Sequence, residues 1–310
     1  MLRPSLIKDD SVNLVITGKC NIHCVYCEYP VRYKDARELT SAEWIDVISD
    51  LRASGYKHFM IVGGEPLLRK DWPSIVDACL PDDVGLVTNA TFIDGRLADE
   101  VAKRFANVRI SLDASNPVTY EAVRCSKRYP QVIQSIKLLV RRGVRVDTSY
   151  IITDKNAGDI YATAKLAGDL GVSIQFSIVG FENNNNTATT DRTLRDNIDL
   201  RSLVEQLALV APMSHVTINR KTIEFLLGVH AKRCYSTVGG IMIDSLGDVY
   251  PCCGPTPAIG NLRETRWADI AAKHSALRES YRRMRMDGCD RCDSADDGYR
   301  FLRKILPPQL

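Results

Sequence analysis

The sequence predicts an α/β fold in which six consecutive strand–helix units form a partial (βα)6 TIM-like barrel, followed by a small C-terminal cysteine-rich domain. Three observations carry this reading. Short β-branched runs alternate with segments of helical period from about residue 11 to about residue 180. The segments between strands are long enough to cross over and set each strand parallel to the one before it. Finally, the cysteines gather in two groups near opposite ends of the chain.

The elements follow in order. "VNLVIT" (12–17) reads as the first strand, and "SAEWIDVISDLRASG" (41–55) as a helix opened by a Ser cap with a Glu nearby. "HFMIVGG" (58–64) and "WPSIVDACL" (72–80) form the second unit, "VGLVTN" (84–89) and "GRLADEVAKRFA" the third. "VRISLDA" (108–114) precedes the helical "QVIQSIKLLVRRG", "VRVDTSYIIT" (144–153) precedes "GDIYATAKLAGDLG", and "SIQFSIVG" (173–180) closes the series. Six such strands exceed a small redox domain and fall short of the eight in a closed barrel. The polar "FENNNNTATTDR" (181–192) reads as a loop or linker, "TLRDNIDLRSLVEQLALVAP" as helical, and "GGIMIDSLGDVYPCCG" as strand–turn–strand. The expected organisation is a barrel over 11–182, a linker and helical segment over 183–230, a cysteine-rich domain over 231–293 and a tail over 294–310.

At 310 residues, with 45% hydrophobic and 25% charged residues, the chain can bury a full core. A net charge of +3, from 41 basic and 38 acidic residues, gives no electrostatic case for nucleic acid or an anionic membrane. The basic "ESYRRMRMDG" (279–288) reads as a solvated helix face. No apolar run approaches the roughly 20 residues that span a bilayer, and the first residues lack a signal peptide's apolar core. The expectation is a cytoplasmic protein, in which ten cysteines point to metal ligands or reactive thiols before disulfides.

"TGKCNIHCVYCEYP" (17–30) places Cys20, Cys24 and Cys27 in a C-x3-C-x2-C array at the end of the first strand. A zinc knuckle completed by His23 or a distant Cys is one reading. The other is a four-iron cluster held by three thiolates, with one iron open to a non-protein ligand. "CNIHCVYC", with Tyr26 just before the third Cys, resembles the cluster motif of the radical S-adenosylmethionine (SAM) superfamily. Further motifs follow in that family's order: "GGEP" (Gly63, Gly64, Glu65, Pro66), "TNA" with Asn89, "SLDA" with Ser111 and Asp113, and Arg124 in "YEAVRC".

The resemblance implies that SAM chelates the open iron and that one-electron reduction yields a 5′-deoxyadenosyl radical, which abstracts hydrogen from substrate. It implies that the GGEP segment holds the methionine ammonium, that short polar side chains at the strand ends meet the ribose and carboxylate, and that Arg124 pairs with the SAM carboxylate. It also implies an electron donor such as flavodoxin or ferredoxin. Taken alone, "GGEP" is a tight turn, Ser, Asn and Asp cap helices, and Arg124 is a solvated helix residue.

At the rear, Cys234, Gly247, Cys252, "IGNL", Cys289 and Cys292 fit a four-cysteine zinc site by spacing alone. With the front motifs they resemble the SPASM/twitch subgroup in its shorter, twitch form. That implies a second, auxiliary [4Fe-4S] cluster on Cys234, Cys252, Cys289 and Cys292, acting as a one-electron relay or a staple. Cys253 is left over, either as a packing cysteine or as a hydrogen-atom donor that quenches a substrate radical and inverts its carbon. Cys79 reads as a core residue, and Cys125 as a core residue or, following Arg124, as part of the site.

Peptide-modifying relatives often begin with a leader-binding domain, whereas here about ten residues precede the first strand. The expectation is therefore a small-molecule substrate, a polar intermediate of natural-product (antibiotic) biosynthesis such as an aminocyclitol, aminoglycoside or sugar, that undergoes epimerisation or dehydrogenation. Glu182, Asp244 and Asp248 could bind its amino groups or could be plain solvated carboxylates. A ribosomal-peptide maturase or peptide epimerase is the alternative, and a zinc-binding scaffold is the non-enzymatic one.

Overall fold

A computed structural model describes residues 10–27, 33, 37–178, 197–219, 222, 226, 240–251 and 258–283. Cys234, Cys252, Cys253, Cys289, Cys292, Glu182 and the Asn run lie outside the described residues.

The six expected strands are present: β1 (Ser11–Thr17), β2 (His58–Gly63), β3 (Asp83–Thr88), β4 (Asn107–Ser111), β5 (Arg145–Ile152) and β6 (Ser173–Ile178). They stand side by side in chain order, and each adjacent pair is parallel. Three additions widen the sheet. β7 (Val216–Ile218) pairs parallel to β6, and β8 (Gly240–Ile243) pairs parallel to β1 on its other side. β9 (Asp248–Tyr250) and β10 (Gly260–Asn261) then extend β8 antiparallel, giving the order β10-β9-β8-β1-β2-β3-β4-β5-β6-β7.

Buried and half-buried residues alternate along β4 and β6, whereas β1 is buried continuously from Leu14 to Thr17. Leu14, Ile61, Leu86, Ile110 and Phe176 are fully buried in one continuous core. The covering helices are α1 (Ser41–Ala53), α2 (Trp72–Cys79), α3 (Gly95–Arg104), α4 (Pro117–Arg124), α5 (Tyr129–Arg141), α6 (Ile160–Asp169) and α7 (Leu200–Val210), and α8 (Trp267–Arg283) follows β10. Trp44, Ile48 and Leu51, at helical spacing on α1, are wholly buried.

α1 is capped by Thr40, one residue before the expected Ser41. The Thr40 hydroxyl accepts from the Glu43 N–H while the Glu43 carboxylate accepts from the Thr40 N–H, a complete capping box. Of the helical expectation over 193–212, the described residues carry α7, capped by Asp199, and Asn197 is helical as well. Among the described residues no helix is long and apolar enough to cross a membrane.

The parallel arrangement brings the C-terminal ends of β1 to β5 to one edge of the sheet, the edge where α/β folds assemble their sites. Cys79 is a core residue as expected. Cys125 is not: it is exposed, in left-handed conformation at φ 50°, where it ends α4. Asp244 is likewise no surface carboxylate. It is buried in the β8–β9 turn, where Oδ1 accepts from the Leu246 and Asp248 N–H groups and Oδ2 from the Tyr33 and Tyr250 hydroxyls. Asp248 accepts from the Asn261 amide at 2.8 Å, which ties β9 to the "GNL" turn.

Candidate active site

The loop after β1 carries Cys20, Cys24 and Cys27, all half-buried, with His23 exposed beside them. Two contacts anchor its far end. The Cys27 N–H donates to the Cys24 carbonyl at 3.0 Å, and the Val25 N–H donates to the Val123 carbonyl on α4 at 3.0 Å. The near end docks against the GGEP segment: Gly64 N–H donates to the Thr17 carbonyl and Glu65 N–H to the Lys19 carbonyl, both at 2.8 Å.

This close approach requires glycine. Gly63 has φ +149°, and a Cβ there would stand 2.3 Å from the Thr17 carbonyl oxygen. A Cβ on Gly64 would stand 2.3 Å from the Lys19 oxygen and 2.7 Å from that of Gly18. These are backbone atoms of the cysteine loop, so a methyl group can be accommodated only by moving the loop. Gly64→Ala is expected to cost about 1–3 kcal/mol of stability, as overpacking does, and to lower the iron retained after reconstitution. Denaturant unfolding and iron analysis check both.

Glu65 follows β2, and it opens a short 3-10 turn at Pro66–Leu68. Its carboxylate is wholly buried, with Oε1 accepting from the Thr88 hydroxyl (2.8 Å) and Leu67 N–H (3.1 Å), and Oε2 from the Asn89 N–H (2.7 Å). It therefore stitches the end of β2 to the end of β3. Burial raises its pKa to about 7, against the pull of those three donors. The folded state thus holds this proton more tightly than the unfolded chain, whose Glu titrates near 4.5. Stability from this group is complete below about pH 4.5 and is lost as pH rises to about 7, by about 3 kcal/mol. Glu65→Gln should flatten that part of the profile, because the amide is neutral throughout the range. Urea unfolding of both proteins across this range checks it.

Tyr26, Asp113 and Arg124 meet in one buried cluster. The Tyr26 hydroxyl donates to Asp113 Oδ2 at 2.7 Å, and Arg124 Nη1 donates to that oxygen at 3.0 Å and to the Tyr26 hydroxyl at 2.6 Å. Asp113 Oδ1 accepts from the Ile151 N–H at 2.7 Å. Arg124 is 4% exposed, so it is not a solvated helix residue. Neither its Nε nor the buried Tyr120 hydroxyl has a hydrogen-bond partner among the described residues. Ser111 is half-buried at the end of β4, in register with Ser149 of β5.

Sequence reasoning missed the residues that brace these strand ends. Glu38 accepts from the Thr17 hydroxyl and the Gly18 N–H. Asn156 donates to the Asp113 and Ile151 carbonyls, and Asp159 accepts from the Ser115 N–H and hydroxyl. No local pattern marks them. Glu38 closes back on its own β1, whereas Asn156 and Asp159 reach across to the end of β4.

The donor set fits an iron–sulfur cluster. Three half-buried thiols on one loop at the end of β1 are a donor set that suits a four-iron cluster. Burial raises the Cys20 thiol, against hydrogen bonds from the Ile22 N–H and the Asn89 amide, and pushes Cys24 up to about 12. A coordinating metal centre supplies the positive charge that deprotonates such thiols. The orphaned Arg124 Nε and Tyr120 hydroxyl are groups that a bound carboxylate could satisfy.

The rear hairpin runs the other way. Tyr250 pairs with Met242, which pairs with Asn13, so β9 carries the chain toward the N-terminal edge of β1 and away from Cys20.

Comparison with known proteins agrees with this arrangement. Residues 14–167 match the radical SAM superfamily, and residues 234–293 match the SPASM iron–sulfur cluster-binding domain. A probable GTP 3′,8-cyclase of Methanopyrus kandleri is 29% identical over 180 residues, 55% of this chain and 59% of its own length. The PqqA peptide cyclase of Streptomyces rochei is 26% identical over 175 residues, 55% of this chain and 48% of its own. The chain thus spans about half the length of these curated relatives. Streptococcus suis SuiB bound to S-adenosylmethionine shares the fold at TM-score 0.67 and 16% identity, over 87% of this chain and 68% of that one. The chain belongs to the radical SAM superfamily: it is an enzyme with a SPASM/twitch auxiliary domain, and its cofactors are SAM and two [4Fe-4S] clusters.

Proposed function

We propose that this enzyme abstracts a hydrogen atom from a C–H bond of a ribosomally made peptide, as a peptide maturase. The observation that carries the reading is the company the chain keeps. The relatives that match it include proteins named as the PqqA peptide cyclase and the mycofactocin maturase MftC, and SuiB shares its fold also in a complex with its precursor peptide SuiA. This moves weight from the polar small molecule that the sequence alone favours.

In this reading Cys20, Cys24 and Cys27 hold the SAM-binding cluster at the C-terminal edge of the sheet. Gly63, Gly64 and Pro66 shape the backbone against which the methionine ammonium lies. Arg124 offers its unpartnered Nε to the carboxylate, and Ser111 faces the ribose. Tyr26 and Asp113 hold Arg124, and Glu65 and Asn89 hold the loop ends. When bound, SAM and the front cluster, given one electron by a donor such as flavodoxin or ferredoxin, would supply the hydrogen-abstracting chemistry. Cys234, Cys252, Cys289 and Cys292 would hold the auxiliary cluster, which would supply a one-electron acceptor, so that the peptide would lose two hydrogens in all.

The second reading, dehydrogenation or epimerisation of a polar small molecule, draws on the relative named for action on GTP. Anaerobically reconstituted enzyme with SAM and dithionite, offered short peptides encoded beside its gene, separates the two. A peptide that accelerates 5′-deoxyadenosine formation and loses two hydrogens by mass supports the proposal. Acceleration by aminocyclitols, amino sugars or nucleotides alone overturns it.

A further inference from the structure

Asn89, expected from the sequence to meet SAM, has its side chain committed elsewhere. Its Nδ2 donates to Cys20 Sγ at 3.7 Å and to Asn21 Oδ1 at 2.8 Å. Its Oδ1 accepts from the Thr91 N–H at 3.0 Å and from the Thr91 hydroxyl at 2.7 Å. The Asn21 amide in turn donates to the Thr91 hydroxyl at 2.8 Å, closing a ring of three side chains.

The direction of this ring is forced. A backbone N–H can only donate, so the Asn89 atom that faces Thr91 N must be the carbonyl oxygen, and the NH2 group must face the sulfur. Asn89 is 4% exposed and Thr91 1%, so water does not compete for these bonds. The Asn89 backbone is pinned as well, through its N–H to Glu65. An amide dipole is thus held with its positive end toward the ligand sulfur of Cys20.

We propose that Asn89 tunes the reduction potential of the front cluster through an N–H···S hydrogen bond to Cys20, with Asn21 and Thr91 as the residues that position it. The inference rests on the reading of Cys20, Cys24 and Cys27 as ligands of the SAM-binding cluster. Adding one electron from a low-potential donor makes the cluster and its thiolates more negative. A donor aimed at a ligand sulfur stabilises that reduced form and raises the potential. Removing the donor makes the cluster harder to reduce before SAM binds.

The test is an EPR-monitored redox titration of anaerobically reconstituted full-length protein without SAM, with dithionite as reductant. A parallel sample with SAM identifies the front cluster by its changed signal. In Asn89→Ala the ratio of reduced to oxidised front cluster at a fixed potential should fall about tenfold, a shift of about 59 mV for one electron. Asn89→Asp keeps an oxygen for Thr91 and the shape of the side chain but replaces the donor with an anionic oxygen, and it should fall further. Should Asn89→Ala fail to load iron, Asn89→Asp gives the reading. A ratio within twofold of the parent overturns the proposal. So does failure of both variants to load, which would make Asn89 a scaffold residue. If the parent itself shows no SAM-responsive cluster, the assignment of the front cysteines fails and this proposal falls with it.

Discussion

Replacing Asp113 by Ala is expected to lower the unfolding free energy by about 3–5 kcal/mol, because it strands a buried cation. Arg124 Nη1 would keep only the Tyr26 hydroxyl as acceptor, Arg124 Nε has no partner already, and the Ile151 N–H would lose the oxygen it meets at 2.7 Å. Neither charge can turn to solvent: Asp113 is 0% and Arg124 4% exposed. The cluster also joins three separate pieces of chain, namely the cysteine loop at Tyr26, the end of β4 at Asp113 and the end of α4 at Arg124. Its loss should therefore loosen the loop as well as weaken the fold. The double variant Asp113→Ala/Arg124→Met removes both charges and should regain part of the lost stability, since an apolar pair avoids the unpaired ion. Urea unfolding of the three proteins gives the energies. A single variant within about 1 kcal/mol of the parent would show that the cation is neutralised in some other way.

How much of this was readable beforehand depends on the range of the interaction. The six barrel strands were legible because their β-branched and apolar runs are written locally, as in "VNLVIT" and "HFMIVGG". The order of the strand-end motifs was legible for the same reason, since each motif directly follows its strand. α4 did carry a local sign, Asn116 before Pro117, whose side chain accepts from the Thr119 N–H. β7 has three residues and is a strand only because β6 lies beside it.

What the sequence could not disclose is where the polar side chains of the site spend their hydrogen bonds. Tyr26 and Arg124 are 98 positions apart, and Asn89 and Cys20 are 69 apart. The motif reading aimed Glu65, Asn89 and Asp113 at the cofactor, whereas the folded chain aims all three at protein groups. Asp244 makes the same point from the other side. "DSLGD" reads as an exposed turn until Tyr33, 211 positions away, closes over it.

Cys24→Ala should have the largest effect on activity. Removing one of three thiolates leaves a cubane with two protein ligands on a loop fixed at its two ends by contacts to Glu65 and Val123. Reconstituted iron should fall from about eight to about four atoms per chain, as expected for two four-iron clusters reduced to one. Cleavage of SAM under dithionite should fall to background. Folding should change much less, because Cys24 is only half-buried and Tyr26, two residues on, keeps its bonds to Asp113 and Arg124. The unfolding midpoint of the iron-free variant should therefore stay close to that of the iron-free parent. This contrast separates the two predictions: Asp113→Ala lowers stability whether or not iron is present, whereas Cys24→Ala removes a cofactor from an intact fold. Full SAM cleavage with iron near eight in Cys24→Ala would place the cofactor elsewhere and refute the ligand assignment. A large drop in the iron-free midpoint would instead make Cys24 a packing residue of the loop.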